Sequence, residues 1–317
     1  MARSGSVNYT RTRDQIIQGA YRKIGKLGQG MTLSAWHVEN ANEALNLMVK
    51  AWMSQGIHLW KILDAAVFLV DSQSTYVMGS GTSAARWAAT YVETELSVAA
   101  VVGNLTVTVD DDAGISTGDI IGIVLDNDSV HWTTVNGVPA ANVITLTAAI
   151  AVDGAAIDQH VYAFTLRANR PLRVLAARTV LDGGNEVPIR LYTRDEYMRM
   201  PNKTTTGKPV GFYYDPKLDN GTLYVWPTPE TPQDYIIITY ESPIEDFDQV
   251  TNEPDFPVEW FEALQYNLGV RLAPEVGLPA QERQFLSIEA KEKLYEVLGF
   301  DQEVGSVFIR PARRRRR

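Results

Sequence analysis

Histidine is the side chain best suited to moving protons near neutral pH, and this chain has four: His37, His58, His131 and His160. They lie far apart, and none sits in the His-Glu-x-x-His spacing that holds zinc on one helix face. Each reads as a surface or packing histidine. There is no cysteine, which removes thiol nucleophiles, disulfide scaffolds and cysteine-ligated zinc together and suits folding in a reducing cytoplasm. Asp110-Asp111-Asp112 and Asp126-Asn127-Asp128 carry the oxygen ligands calcium prefers. Neither matches an EF-hand loop, and Asp and Asn also occur in turns for their own hydrogen bonds. A glycosidase needs two carboxylates defined by their separation in space, so among 38 acidic residues no pair is singled out. Gly25-Lys26-Leu27-Gly28-Gln29-Gly30 has the residue types of a phosphate loop in the wrong order, and it follows a helical pattern instead of a strand. It reads as an interhelical loop. No catalytic residue, metal ligand or cofactor is expected.

Charge is more informative than any of these motifs. Residues 87–166 contain ten acidic residues and no Lys or Arg, whereas the last eight residues hold Arg310 and Arg313 to Arg317. Without those six arginines the formal net charge falls from −9 to −15. An acidic body repels phosphate, which excludes a general nucleic-acid binder. The basic tip reads as a docking tail, because guanidinium groups pair bidentately with carboxylates or phosphates. Trp36, Trp52, Trp60, Trp226 and Trp260 fall within apolar-patterned segments and are expected at a core or interface.

These residues hang on a helical–β–helical order. Thr12 with Gln15 forms a capping-box pattern ahead of Ile17, Tyr21 and Ile24, which predicts a helix over 12–25. Val38, Ala41, Leu45, Met48 and Trp52 predict a second over 34–55, ended by Gly56. Two short strands are expected at Ile57–Ile62 and Ala66–Val70. From about 97 to 165 the pattern is all-β, with segments near 105–109, 120–125, 130–135, 143–146 and 161–166 separated by turn residues. Further strands are expected near 172–179, 187–192, 210–214, 222–226 and 235–240, with a short helix at Arg194–Met198. Two closing helices follow at 256–273 and 279–298; in the latter Phe285, Leu286, Ala290, Leu294, Val297 and Leu298 are expected inward, with a Glu289–Lys293 surface pair. The longest apolar run, Ala65–Val70, is far short of the ~20 residues that cross a bilayer, and Met1–Arg13 is too polar for a secretory signal. The expected fold class is α+β: terminal helices forming an α-helical bundle, central β-strands, and an inserted small all-β barrel or sandwich domain.

Several host segments resemble the head-to-tail adaptor (head-completion) proteins of short-tailed, podovirus-like bacteriophages. They are Ala20-Tyr21-Arg22-Lys23-Ile24-Gly25, Ala51-Trp52-Met53-Ser54-Gln55-Gly56 with Leu59-Trp60, Arg194-Asp195-Glu196-Tyr197 with Pro201-Asn202-Lys203, and Phe212-Tyr213-Tyr214-Asp215-Pro216. The stretches Gly221-Thr222-Leu223-Tyr224-Val225-Trp226-Pro227, Pro243-Ile244-Glu245-Asp246-Phe247 and Phe256-Pro257 through Trp260, Leu264 and Leu268 to Pro274-Glu275 belong to the same pattern. The resemblance covers about 1–79 and 167–310; the β-rich 80–166 departs from the smaller members.

The resemblance implies a structural virion protein and no enzyme: a ring, twelve copies in such adaptors, beneath the portal protein at the head–tail junction, continuing the DNA channel to the tail nozzle or fibre proteins. Genomic DNA would pass without sequence-specific binding, no membrane would be involved, and the chain would be made in the host bacterial cytoplasm. The implied domains are 1–79 (N-terminal helices of the host), 80–166 (all-β insert), 167–299 (host strands and C-terminal helices) and 300–317, a portal-docking arm. In that arm Val307, Phe308 and Ile309 would be apolar anchors and Arg310, Arg313, Arg314, Arg315, Arg316 and Arg317 charge partners. A cell-wall glycan hydrolase carried by the virion and a DNA-retaining plug are the alternatives.

Overall fold

The computed structural model describes residues 9–28, 30–54 and 59–301. Helices and strands are both abundant, so the chain is α+β. The helices are Arg13–Lys23 (α1), Ala35–Met53 (α2), Arg194–Met198 (α3), Trp260–Leu272 (α4) and Ala280–Phe300 (α5). In chain order the strands are Ile62–Phe68 (β1), Thr75–Met78 (β2), Trp87–Ala88 (β3), Val92–Glu95 (β4), Thr106–Thr108 (β5), Ile120–Val124 (β6) and Val130–Thr134 (β7). Val143–Thr145 (β8), His160–Phe164 (β9), Arg173–Val180 (β10), Glu186–Leu191 (β11), Gly211–Asp215 (β12), Gly221–Trp226 (β13) and Tyr235–Glu241 (β14) complete them. The chain separates into two compact units, 1–60 with 244–317 and 61–243. These limits differ from the four segments read from the sequence, and β3, within 80–166, pairs with β1 in the larger sheet.

In the first unit, residues of α1, α2, α4 and α5 enter one apolar core. Thr12 and Gln15 make the capping box of α1, Ser34 caps α2, and Gly25 takes the left-handed φ of +68° that a turn out of α1 requires. Helix α4 is the centre: Trp260, Ala263, Leu264, Leu268 and Leu272 are buried, and Trp260 packs against the rings of Trp52, Trp60 and Phe256. Helix α5 buries Leu286, Ala290 and Val297. Phe285 and Leu298 face outward, against expectation, because they lie off that stripe. Lys293 pairs with Glu262 at 3.7 Å and Glu296 at 3.0 Å in place of the expected Glu289.

The second unit is built on an eight-stranded sheet of order β2-β13-β12-β11-β10-β14-β1-β3, antiparallel except for the β11–β12 pair. A four-stranded sheet, β4-β9-β6-β7, and a β5-β8 pair lie within 92–164. The expected pair of strands at 57–62 and 66–70 is instead a 3-10 turn at Leu59–Lys61 running into the single strand β1. Asp64, a turn-type residue between Ile62 and Ala66, does not break the strand, because Thr239 Oγ1 and Arg178 Nη2 donate to its carboxylate at 2.6 and 3.0 Å. Residues 55–58 lie outside the described residues.

Strand alternation organises this unit into apolar layers. In β1 and the residue after it, Ala65, Val67 and Leu69 enter the core of the large sheet, while Ala66 and Phe68 point the other way. In β9, Val161 and Ala163 enter the core of the small sheets, while Tyr162 and Phe164 meet Phe68. Strand β6 divides likewise, Ile121 and Ile123 against Ile120 and Val124. Phe68, fully buried, lies 5.6 Å from the Phe164 ring and 4.7 Å from Tyr162, centroid to centroid. Phe68→Ala is therefore expected to cost about 3–5 kcal/mol, the range for a buried aromatic truncated to alanine. Val138→Ser, at a side chain 86% exposed, should stay within about 0.5 kcal/mol. Urea denaturation of both variants checks the contrast, and equal midpoints would contradict the layering.

Candidate functional site

The arm anticipated at Val307–Arg317 lies outside the described residues, so the chemistry available to the protein has to be sought elsewhere. Three places gather unusual groups. Two are on the helical unit, and one lies within the sheet unit.

The first is helix α5. Its buried stripe is Leu286, Ala290 and Val297, on a helix that packs against α4. On the opposite side Phe285, Ile288 and Tyr295 are 62%, 51% and 72% exposed. At 100° per residue these three cluster nearly opposite the buried stripe. A groove of about 340 Å³ runs beside this face, lined by Lys23, Ile24, Leu278, Glu282, Phe285 and Glu289. The sequence showed these apolar residues but assigned Phe285 to the core, because adjacent apolar residues do not tell which of them lies on the stripe.

The second place is the start of α2. A cleft of about 400 Å³ is walled by Tyr21, Lys26, Met31, Ser34, Trp36 and His37, with Glu275 and Val276 opposite. The glycine-bearing loop 25–30, expected to be an interhelical connection, is one. Ser34 Oγ caps the helix by accepting from His37 N at 3.4 Å and lies 2.6 Å from His37 Nδ1. Tyr21 is buried, donates its hydroxyl to His37 O at 3.3 Å, and has its ionisation pushed upward by burial. Trp36, expected at a core or interface, is 60% exposed and edge-on to the His37 ring. With Leu47 it makes a second outward apolar pair on α2. Trp52 and Trp260 are buried.

The third place, in the sheet unit, centres on a histidine that no local spacing singles out. His160, at the start of β9, is buried and held between two carboxylates. Nδ1 faces Glu93 Oε1 at 3.0 Å, and Nε2 faces Asp182 Oδ1 at 3.4 Å. Glu93 Oε2 accepts from the Tyr235 hydroxyl at 3.0 Å, and Tyr91 donates to Tyr235 Oη at 3.3 Å. The Tyr162 ring stacks on His160, and Asp234, buried beside it, accepts from Asp182 N at 2.9 Å. Only the imidazolium donates from both ring nitrogens, and the Glu93 hydrogen bond, opposed by burial, holds the His160 pKa above its ordinary value. Burial is the leading cause of the raised ionisation of Tyr162 and Tyr235. The cluster ties β4 and β9 to the β10–β11 turn and β14. It is an electrostatic clamp, and its partners are far apart in sequence.

The other motifs are absorbed locally. Asp111 Oδ1 accepts from Ala113 N, Asp112 Oδ2 from Asn142 N, Asn127 Oδ1 from Ser129 N, and Asp126 Oδ1 from Ala156 N. Asp111 and Asn127 are thus turn acceptors, whereas Asp112 and Asp126 bind backbone 30 residues on. His131 Nε2 lies 3.2 Å from Ala148 O, and His58 lies outside the described residues. Among the described residues no group of three His, Asp or Glu side chains is placed to hold a metal, and no helix is long and apolar enough to cross a membrane.

No protein-family model and no curated protein matches the chain.

The clamp predicts a pH dependence. A raised pKa in the folded state means the imidazolium contributes its full stability below the unfolded value of about 6.5 and loses it as the pH rises through the folded value. His160→Asn should therefore cost about 1–3 kcal/mol at pH 5.5–6, the worth of hydrogen bonds to charged groups, and markedly less above the folded pKa. Denaturant titrations of both proteins across about pH 5.5–9 measure this. A stability difference that stays flat with pH would show that His160 packs there without carrying a proton.

Proposed function

We propose that the chain is a structural head-to-tail adaptor of a phage virion, acting as one copy of a ring beneath the portal that continues the DNA channel toward the tail. The observation that carries this reading is α5, a helix with apolar side chains on two opposed faces, of which one copy covers a single face. A helix apolar on both sides is ordinarily sandwiched between neighbours. A closed ring also needs two different surfaces on each subunit, one to give and one to receive. The helical unit carries two outward apolar sets, Phe285, Ile288 and Tyr295 on α5 and Trp36 and Leu47 on α2.

In this reading the terminal helices act as a bundle that packs on its sister copies, while 80–166 is an inserted barrel or sandwich. The function is assembly, not catalysis. The segment 300–317 is the portal-docking arm, with Val307, Phe308 and Ile309 seated in the portal and Arg310 and Arg313–Arg317 pairing with its carboxylates. The acidic balance of the body supports the channel role, because a negative wall gives DNA phosphates nothing to grip. The virion's head–tail junction is the corresponding location, with tail nozzle or fibre proteins on the far side.

Two measurements test the reading. Phe285→Asp with Tyr295→Asp should leave circular dichroism unchanged, since both side chains are exposed, yet lower ring formation with portal at least tenfold in electron micrographs and sedimentation. Rings forming as before would remove α5 from the contact. Deleting 307–317 should leave a folded protomer that no longer co-sediments with portal particles, and undiminished co-sedimentation would refute the arm. A protomer that stays single with portal present, whatever the variant, would end the adaptor reading.

A further inference from the structure

Arg86 and Arg167 stand at the two ends of segment 87–166, which itself has no Lys or Arg, and the fold brings them to the same two backbone oxygens. Arg86 Nη1 donates to Ser83 O and, at 3.2 Å, to Ala85 O. Arg167 Nε donates to Ala85 O at 3.0 Å, and its Nη2 to Ser83 O at 3.4 Å. Two guanidinium groups on shared acceptors repel each other. Arg173, Arg178, Arg190 and Arg199 of the same unit each pair with a carboxylate, whereas among the described residues Arg86 and Arg167 pair with none. A neutral donor would hold the two carbonyl oxygens as well as a charged one, so anchoring the ends of the segment does not account for the charges.

Arg86 also lines a cavity of about 250 Å³, walled by β1, the turn after it, β2, residues 84–86 and β7. Its sides are mainly apolar, from Phe68, Val70, Val77, Val130 and Trp132, and no carboxylate lines it. The Phe68 and Trp132 ring centroids are 5.8 Å apart, and the Arg86 guanidinium carbon lies 4.9 Å from the Trp132 centroid. Trp132 holds its place over Gly122, where any Cβ would fall 2.5 Å from the ring. The other polar groups of the lining are engaged with backbone: Tyr76 donates its hydroxyl to Gln73 O at 2.9 Å, and Gln73 Nε2 donates to Thr75 O at 2.7 Å. Arg86 Nε and Nη2 and the buried Trp132 Nε1 have no acceptor among the described residues. Burial, and then the Arg167 charge, hold the Arg86 pKa below its ordinary value, as befits a cation without its counter-charge.

An apolar cavity with a few fixed polar groups is the usual form of a small-molecule site. We infer that this one binds a small aromatic monocarboxylate, its ring against Phe68 and Trp132 and its carboxylate on Arg86, with Arg167 adding positive potential from behind. One guanidinium and no helix N-terminus line the cavity, which suits the two oxygens of a carboxylate better than the three of a phosphate. The volume lies below the ~300–1,000 Å³ of drug-sized sites, so the ligand carries a single ring. The inference goes beyond the ring-assembly reading and does not rest on it.

Isothermal titration of the full chain tests the assignment, with 3-phenylpropionate, 3-phenylpropionamide and acetate as probes. The aromatic acid should bind with a Kd below about 1 mM, an ordinary efficiency for so small a ligand, and at least tenfold more tightly than the amide or acetate. Arg86→Gln keeps a donor for the Ser83 and Ala85 oxygens and should weaken binding at least tenfold. Val77→Trp, which fills the cavity from a partly buried position, should abolish binding with circular dichroism unchanged, so the test survives if the Arg86 variant fails to fold. Lys26→Gln, in the cleft beside α2, should change nothing. Equal binding of the amide would reduce the site to an apolar hollow, and equal binding of acetate would reduce it to an exposed cation; either overturns the proposal. So do undetectable binding of the acid, undiminished binding in Val77→Trp, and loss of binding in Lys26→Gln. Ring formation with portal is scored separately, so failure here and failure of the adaptor reading are distinguishable.

Discussion

Strands β1, β6 and β9 bury both of their faces, and the layering of the sheet unit follows from that constraint. A strand has only two faces, so a strand apolar on both must lie between two cores. Phe68 and Phe164 show what this fixes: they stack only if Val67 and Ala163 point away into separate cores. A one-residue slip in either strand would exchange the two sets and bring Asp64 or His160 to the wrong face. The register of β1 with β14, which sets Ala66 against Ile237 and Phe68 against Tyr235, is therefore over-determined by packing on both sides. The His160 clamp lies at the rim of this contact, where Tyr162 and Tyr235 turn their polar ends toward Glu93 and the 232–234 backbone.

Local signals were the most readable part of the sequence. The Thr12/Gln15 capping box, and Thr193 with Glu196 ahead of α3, act through neighbours three residues apart, and both helices begin where those residues place them. β1 departs from expectation because Asp64 interrupts the apolar pattern as a turn residue would, whereas pairing with β14 carries the strand straight through it. The clamp was invisible for a similar reason: Glu93 and Asp182 are 67 and 22 residues from His160, and neither spacing has a local meaning. Two-sided burial of β1 is a tertiary fact, since its apolar pattern alone fits a helix segment as well as a buried strand.

Charges are distributed unequally over the sheet unit, with physical consequences. In the large sheet the cations pair locally: Arg178 reaches both Asp64 and Glu186, Arg173 reaches buried Glu241, and Arg190 reaches Glu196. Segment 87–166 has no Lys or Arg to do this, and among the described residues only His160 pairs with a carboxylate of the segment, Glu93. Its carboxylates accept hydrogen bonds from turn backbone instead, as Asp119 does from Ser116 N at 2.7 Å. That role accounts for Asp, Asn or Ser at such turns, but not for Asp being chosen so often with no balancing cation. Self-repulsion among these groups slightly destabilises the compact state, so the excess negative charge is better understood as a property of the outer surface than of the fold.

On α5 the buried face and the exposed face answer different demands. Leu286, Ala290 and Val297 are enough to seat the helix on the α4 core, and surface helices in single-chain proteins commonly turn charge to water on the remaining face. Here Glu282, Glu289 and Glu296 recur every seven residues along one flank, yet Phe285, Ile288 and Tyr295 share the outward side with Gln281 and Glu292. Most of Phe285 stays in water on the protomer, 62% of it exposed, and an alanine or lysine there would have better helix propensity. Phe285, Ile288 and Tyr295 therefore face water on the protomer, and they are the side chains that a sister copy would cover in the proposed ring.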